Sequence, residues 1–251
     1  MYSSRGSSDA TKLLFSPINI NLNPVMQPNS LDHIRDGLEL ITFDCYGTLV
    51  DWETGIRSAI RDISGRDDPA LFDAYVETEA QVEAEPYRPY RDVTADALRR
   101  VAHRFGFNVA LGREHAIAHS LPDWPVWPDT NPALARLKRR YRIGILSNID
   151  RDLIAQTMQR FTVEIDLLVT AEDVRAYKPA HAHFERMLAD RGGRREGLLH
   201  AAQSWFHDCV PATRLNIPHV WINRRSEPPG PDAHPSATFP NLTLFADALD
   251  S

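Results

Sequence analysis

Asp44 is the residue whose type and setting could do chemistry. It closes the apolar run Leu40-Ile41-Thr42-Phe43 and precedes Cys45-Tyr46-Gly47-Thr48. An aspartate at the tip of a buried strand sits where open α/β sheets place their ligands. A carboxylate there can act as a nucleophile and form a covalent intermediate. Other polar groups stand at matching places. Ser147-Asn148 follows the apolar run Ile143–Leu146, Lys178-Pro179 comes after Ile165–Val169, and Gln203-Ser204-Trp205-Phe206-His207-Asp208 follows Leu198–Ala202. If each run is a parallel strand, the tips converge on one crevice. Two carboxylates, hydroxyls, an amide and an ammonium then share a pocket. Lys178 is one of only three lysines among 28 lysines and arginines. A lysine kept at this place fits a compact point charge better than a guanidinium fork.

The elements that must position these groups read as α/β. His219–Ile222 is a fifth apolar run, and helical segments lie between the runs. Asp150 is suited to N-cap a helix over Arg151–Arg160. Pro179 suits the first turn of a helix that ends at Asp190, before Gly192-Gly193. Such alternation predicts a parallel sheet covered on both faces. Asp44 and Ser147, however, are 103 positions apart, too far for one crossover helix. The stretch between them is helical in pattern over Pro69–Ala84, Val93–Phe105 and Arg113–Leu121, with Leu71, Tyr75, Thr78 and Val82 on one face. The expected architecture is a Rossmann-like, doubly wound core over residues 36–53 and 127–251, with a small helical cap inserted over 54–126. Pro122, Pro125 and Pro128 mark the return. Residues 1–35, with Ser, Asn and Pro and little periodicity, read as a flexible extension.

Composition excludes several classes. The net charge of −6 offers no broad basic footprint for nucleic acid. No apolar run approaches the ~20 residues that span a bilayer. The Ser-rich start lacks the cationic segment and apolar core of a secretory signal. The two cysteines, Cys45 and Cys209, make no disulfide framework. A cytoplasmic protein with a small-molecule ligand, and no nucleic-acid or membrane partner, is expected; a homodimer is left open. Single residues also have plainer readings. Asp208 would cap a helix over Val210–Leu215. Cys45 should point away from Asp44, because side chains alternate along a strand. His181, His183 and His207 share no metal-ligand spacing. Trp124 and Trp127 read as packing.

Taken in order, Asp44-Cys45-Tyr46-Gly47-Thr48, Ser147-Asn148, Lys178-Pro179 and Asp208 resemble the four motifs of the haloacid dehalogenase superfamily, over about residues 37–225. The resemblance implies a mobile cap and an aspartate nucleophile, Asp44. Thr48 and Ser147 would bond the reacting group, Lys178 would neutralise the carboxylates, and Asp208 would be the fourth-motif acid. Tyr46 stands where phosphatases of the superfamily carry a general acid. Tyrosine, with a pKa of about 10, is a poor acid at neutral pH, whereas halide leaves without a proton. Tyr46 and the later Trp221-Ile222-Asn223-Arg224 are similar to type II (S)-2-haloacid dehalogenases. Asn148 matches their halide-contacting asparagine. Gln203, Trp205 and His207 fall at their water and leaving-group positions. Gln203 also replaces a metal carboxylate of the phosphatase members. Magnesium favours oxygen cages with carboxylates, so no cofactor is expected.

Departures accompany the match. Dehalogenases of this type carry an arginine early in the first cap helix for the substrate carboxylate, yet no arginine lies between Asp67 and Tyr87. Arg57, Arg88 and Arg91 are the candidate substitutes. A family tyrosine is replaced by Phe184. The expectation is hydrolysis of a short, anionic 2-haloacid through an ester on Asp44, giving a 2-hydroxy acid and halide, with Lys178 and Asp208 positioning water. The alternatives are a Mg²⁺-dependent phosphatase and a non-catalytic ligand-binding relative.

Overall fold

The five apolar runs become strands, and a sixth joins them. The structure is a computed structural model, and residues 31–250 are described. The strands are β1 (Leu40–Phe43), β2 (Arg142–Ser147), β3 (Leu167–Thr170), β4 (Leu198–Ala202), β5 (His219–Ile222) and β6 (Ala237–Phe239). All pairings are parallel, in the order β3-β2-β1-β4-β5-β6. β3 starts two residues later than its apolar run. β6 is a short, half-exposed edge, so no apolar run marks it in the sequence. β1 is buried along its whole length, because a strand covered on both faces has no polar side.

The chain winds from β1 to β3 on one side, then crosses to β4 on the other. The reversal beside β1 opens the crevice in which doubly wound sheets bind ligands. Phe43 pairs with Ile145 and with Ala201. Asp44, Ser147 and Gln203 therefore leave the sheet within one residue of the same height.

The helices are α1 (Asp32–Arg35), α2 (Trp52–Ser64), α3 (Pro69–Glu83), α4 (Tyr90–Phe105), α5 (Ala116–Ser120) and α6 (Thr130–Leu137), followed by α7 (Arg151–Met158), α8 (Ala171–Val174), α9 (Ala182–Asp190), α10 (Val210–Arg214) and α11 (Leu242–Asp250). Most of the expected extension, residues 1–30, lies outside the described residues. Its end is the α1 turn, and Leu31 is buried in the core.

Helices α2 to α6 lie in the long gap between β1 and β2, and α2 to α5 make up an insert within it. Its two ends lie side by side. The Asp51 amide donates to the Pro125 carbonyl at 2.7 Å, and Val50 bridges Val126. Helix α2 lay outside the expected helices, although its signals are ordinary. Asp51 accepts from the Thr54 amide at 3.2 Å, and Gly65 ends the helix in the left-handed region, as N-cap aspartates and C-terminal glycines do. α3 packs on α4 and buries Leu71, Tyr75, Thr78 and Val82.

Two expected caps differ from the structure. Pro179 does not open a helix, since α9 starts at Ala182. Asp150 does not cap α7 with its side chain. Its carboxylate reaches across to the insert. Oδ1 accepts from the Tyr90 amide at 2.6 Å, and Oδ2 accepts from the Arg91 amide and Nε at 3.1 Å each. The exposed amides at the start of α4 are thus satisfied by a residue of the core, 60 positions away. Asp150→Ala is expected to destabilise the fold by about 0.5–2 kcal/mol, the range for a lost N-cap, measured as a lower urea midpoint. Asp150→Asn, which keeps one acceptor, should lose less.

Candidate active site

Asp44 lies buried at the tip of β1. Lys178 Nζ donates to its Oδ1 at 2.9 Å, and Thr48 Oγ1 donates to its Oδ2 at 3.0 Å. The turn that returns Thr48 to Asp44 passes through Gly47 at φ +107°, a conformation side chains rarely adopt. A Cβ there would also meet Gln203 Oε1 at 2.9 Å. Thr48 Oγ1 in turn accepts from the Gln203 amide at 2.9 Å, tying the β1 and β4 tips together.

The Lys178 ammonium is fully enclosed. It donates to Asp44, to Asp208 Oδ1 at 2.7 Å and to the Leu146 carbonyl at 2.9 Å, which uses all three of its donors. Its backbone is fixed by Asn148, whose amide side chain bonds the Lys178 N–H at 2.7 Å and the Lys178 carbonyl at 3.1 Å. Asn148 therefore positions the lysine with both ends of its amide. Behind Asp208 stands His200, with Nε2 at 3.1 Å from Asp208 Oδ1 and Nδ1 at 2.9 Å from Thr42 Oγ1. Phe184 packs edge-on against that imidazole, with centroids 5.0 Å apart. The aromatic at position 184 thus supports the acid from behind.

Burial pushes the Asp44 carboxyl up from its ordinary range, opposed by Lys178. Asp208 moves the other way. Against the cost of burial, Lys178 and His200 hold it well below the usual carboxylate range. Lys178, despite burial, is raised by its two carboxylate partners. The ammonium thus stands between two carboxyl groups whose pKa values move in opposite directions. Asp208 Oδ2 and Ser147 Oγ are buried without a hydrogen-bond partner among the described residues.

These groups open into a cavity of about 250 Å³. Asp44, Tyr46, Ser147, Asn148, Lys178, Gln203, His207 and Asp208 line one wall. Tyr46 does not offer its proton to the cavity. Its hydroxyl pairs with Thr157 Oγ1 at 2.9 Å, and burial pushes its pKa well above the ordinary value. His207 is held to Ser204 through Nδ1 at 3.0 Å, and burial lowers its pKa. Trp205 is the expected site residue that the structure places elsewhere. Its indole donates to the Pro231 carbonyl at 2.8 Å and packs on Trp221.

The second wall comes from the insert: Trp52, Val76, Tyr90 and Trp124, with Glu79 and Glu83 of α3. Sequence reasoning missed Trp124 and both glutamates as lining residues. Trp124 packs edge-on against Tyr46, with centroids 5.6 Å apart, and rests against Gly55, where a Cβ would come within 2.3 Å of the indole. The glutamates were legible only as a four-residue spacing on the face that carries Tyr75 and Val82.

The candidate arginines all lie off this cavity. Arg88 pairs with Glu85 and Asp96, and Arg91 with Asp150 and Asp152. Arg57 pairs with Glu53 and stacks on Phe72 at 3.8 Å. Cys45 packs in the core, away from the cavity. His183 bonds the Ser147 carbonyl at 3.1 Å, and burial lowers its pKa to about 4.

Comparison with known proteins gives a consistent result. The model of a family described as haloacid dehalogenase-like hydrolase matches residues 38–198. Haloacetate dehalogenase H-2 of Moraxella sp. (strain B) is 26% identical over 200 residues, covering 74% of this chain and 86% of that protein. (S)-2-haloacid dehalogenase 4A of Burkholderia cepacia is 22% identical over 202 residues, covering 77% and 87%. In fold, the chain is similar to the L-2-haloacid dehalogenase of Xanthobacter autotrophicus with chloropropionic acid covalently bound. That match has a TM-score of 0.76 and 17% identity over 85% of this chain and 99% of that one.

Proposed function

The chain belongs to the haloacid dehalogenase-like hydrolase family, and we propose that it hydrolyses a carbon–halogen bond through a covalent ester on Asp44. The observation that carries this reading is the commitment of Tyr46. The group two positions after the nucleophile is bonded to Thr157 and has a raised pKa, so it supplies no proton to a leaving group. Halide needs none; a phosphate ester's alkoxide does. The chloropropionic acid held covalently by the Xanthobacter enzyme fits the same chemistry.

In this reading Asp44 attacks the halogen-bearing carbon, the carbon–halogen bond breaks, and halide departs with the electron pair. Thr48 and Lys178 orient the attacking carboxylate. Ester formation removes the Asp44 charge, leaving Lys178 to balance Asp208 alone. Asp208 Oδ2 then orients a water toward the ester carbonyl. Asp208, with its lowered pKa, is a weak base. His207, kept neutral by burial, takes the proton from that water and returns it to the leaving oxygen as the acyl–oxygen bond breaks, which frees the hydroxyl product and restores the Asp44 carboxylate.

The residues do not favour a magnesium cage. The Lys178 ammonium stands between the two aspartates, and neutral Gln203 occupies the third place. Among the described residues no group of three His, Cys, Asp or Glu side chains could hold a metal. Halide release from a panel of chloro- and bromo-compounds, assayed beside phosphate esters, is expected to proceed and to survive EDTA. Phosphate release that requires added Mg²⁺, with no halide from any compound, would reject the proposal.

No helix among the described residues is long and apolar enough to cross a membrane.

A further inference from the structure

Among the described residues, four carboxyl groups line the cavity, on Asp44, Glu79, Glu83 and Asp208, against one ammonium, Lys178. That ammonium already spends its donors on both aspartates and on a backbone carbonyl. An incoming carboxylate therefore finds no free cationic partner among the described residues of either wall. Arg57, Arg224 and Arg225 line a separate cavity that shares Trp52 and Gln203 with this one. Each is paired there with Glu53 or Asp129. Desolvating an anion without a partner is costly.

The insert wall offers what a cation needs. Glu79 Oε1 accepts from Tyr75 Oη at 3.0 Å and Tyr90 Oη at 2.9 Å, which fixes its direction. Tyr90 is itself anchored to the core through Asp150. Glu83, one helical turn on, has no hydrogen-bond donor among the described residues and faces the same space. Tyr46, Trp52, Tyr90 and Trp124 supply aromatic surface around them, and aromatic faces attract ammonium groups. The floor adds two buried polar atoms without a partner among the described residues, Ser147 Oγ and Asp208 Oδ2, so the cavity is built to hold a polar ligand.

Resting on the reading of Asp44 as the attacking group, we infer that the substrate carries a cationic nitrogen on its far side, bound by Glu79 and Glu83. The halogen-bearing carbon lies toward Asp44 and the ammonium toward α3. Burial raises the Glu79 carboxyl to about 7 and pushes the Glu83 carboxyl well above its ordinary range, where Glu79 adds repulsion. A cation between the two relieves that repulsion and allows both to ionise.

Binding and turnover test this separately. In calorimetric titrations of the full chain, butylammonium is expected to bind at least about tenfold more tightly than neutral butyramide, with butyrate weakest; tenfold is about 1.4 kcal/mol. Glu83→Gln should lower butylammonium affinity about tenfold and leave butyramide unchanged. Ala80→Lys, at an exposed position of α3 on the cavity rim, keeps the fold test open. It should abolish butylammonium binding and admit butyrate. Equal affinities, tighter butyrate, no binding of any probe, or no effect of either substitution would overturn the inference. Halide release from N-(2-aminoethyl)-2-chloroacetamide should exceed release from its N-(2-hydroxyethyl) counterpart and from chloroacetate. Halide from chloroacetate alone rejects the cationic substrate and keeps the dehalogenase. Ammonium-selective binding without halide from any compound rejects the dehalogenase and keeps the acidic subsite.

Discussion

Asp44→Asn is expected to release no halide above background, a loss of about 10⁴-fold or more, as for other nucleophile deletions. The amide keeps the shape of the carboxylate and accepts from Thr48 Oγ1 or Lys178 Nζ as the acid does, so the far-ultraviolet spectrum should not change. The sharper measurement follows oxygen. In the proposed sequence the product oxygen comes from Asp44, and the hydrolytic water replaces it in the side chain. One turnover in ¹⁸O-water should therefore leave the label on Asp44 and none in the product. Label that enters the product on the first turnover means that water attacked the substrate directly. The covalent ester would then be wrong, whatever the effect of the substitution.

The motif residues were legible because chemistry and topology restrict them together. An aspartate after Leu40–Phe43, a serine after Ile143–Leu146 and an acid beyond Leu198–Ala202 are separated in sequence. Parallel pairing of β1 with β2 and β4 brings their tips to one place. That convergence needs only the strand runs and their order. What failed was of another kind. Asp150 reads locally as the cap of α7, but its carboxylate satisfies the α4 amides instead, a tertiary choice that no local pattern reveals. Trp205 is placed at the pocket by the family resemblance, as a residue beside the hydrolytic water. The wide turn at Trp205–Cys209 directs it to Pro231. Asn148 sits at the cavity as expected, while its amide is spent on the Lys178 backbone. The missing cap arginine was visible as an absence. The glutamates that face the cavity instead were not, because helical spacing gives a face without saying what it faces.

Lys178→Met is expected to have the largest effect on stability and to remove activity as well. The ammonium is buried between Asp44 and Asp208, with side-chain exposure of 1%. Removing it leaves two buried carboxyl groups facing each other without a counter-charge. Breaking such an arrangement from one side typically costs about 3–5 kcal/mol, more than the loss of packing from a side chain of similar length. The pH dependence identifies the cause. Asp208 has a lowered folded pKa, so its contribution to stability is present above the unfolded value of about 3.9 and is lost as pH falls through the folded value. Lys178 has a raised folded pKa, so its contribution is present below about 10.4 and is lost as pH rises through the folded value. The wild-type advantage over Lys178→Met should thus be greatest between about pH 5 and 9. It should shrink in acid, where the stranded carboxyls of the variant become protonated. Urea midpoints at pH 4 and pH 7.5 decide it. A stability difference of equal size at both would mean that Lys178 holds the fold by packing alone, and the charge balance assigned to Asp44 and Asp208 would have to be drawn from another group.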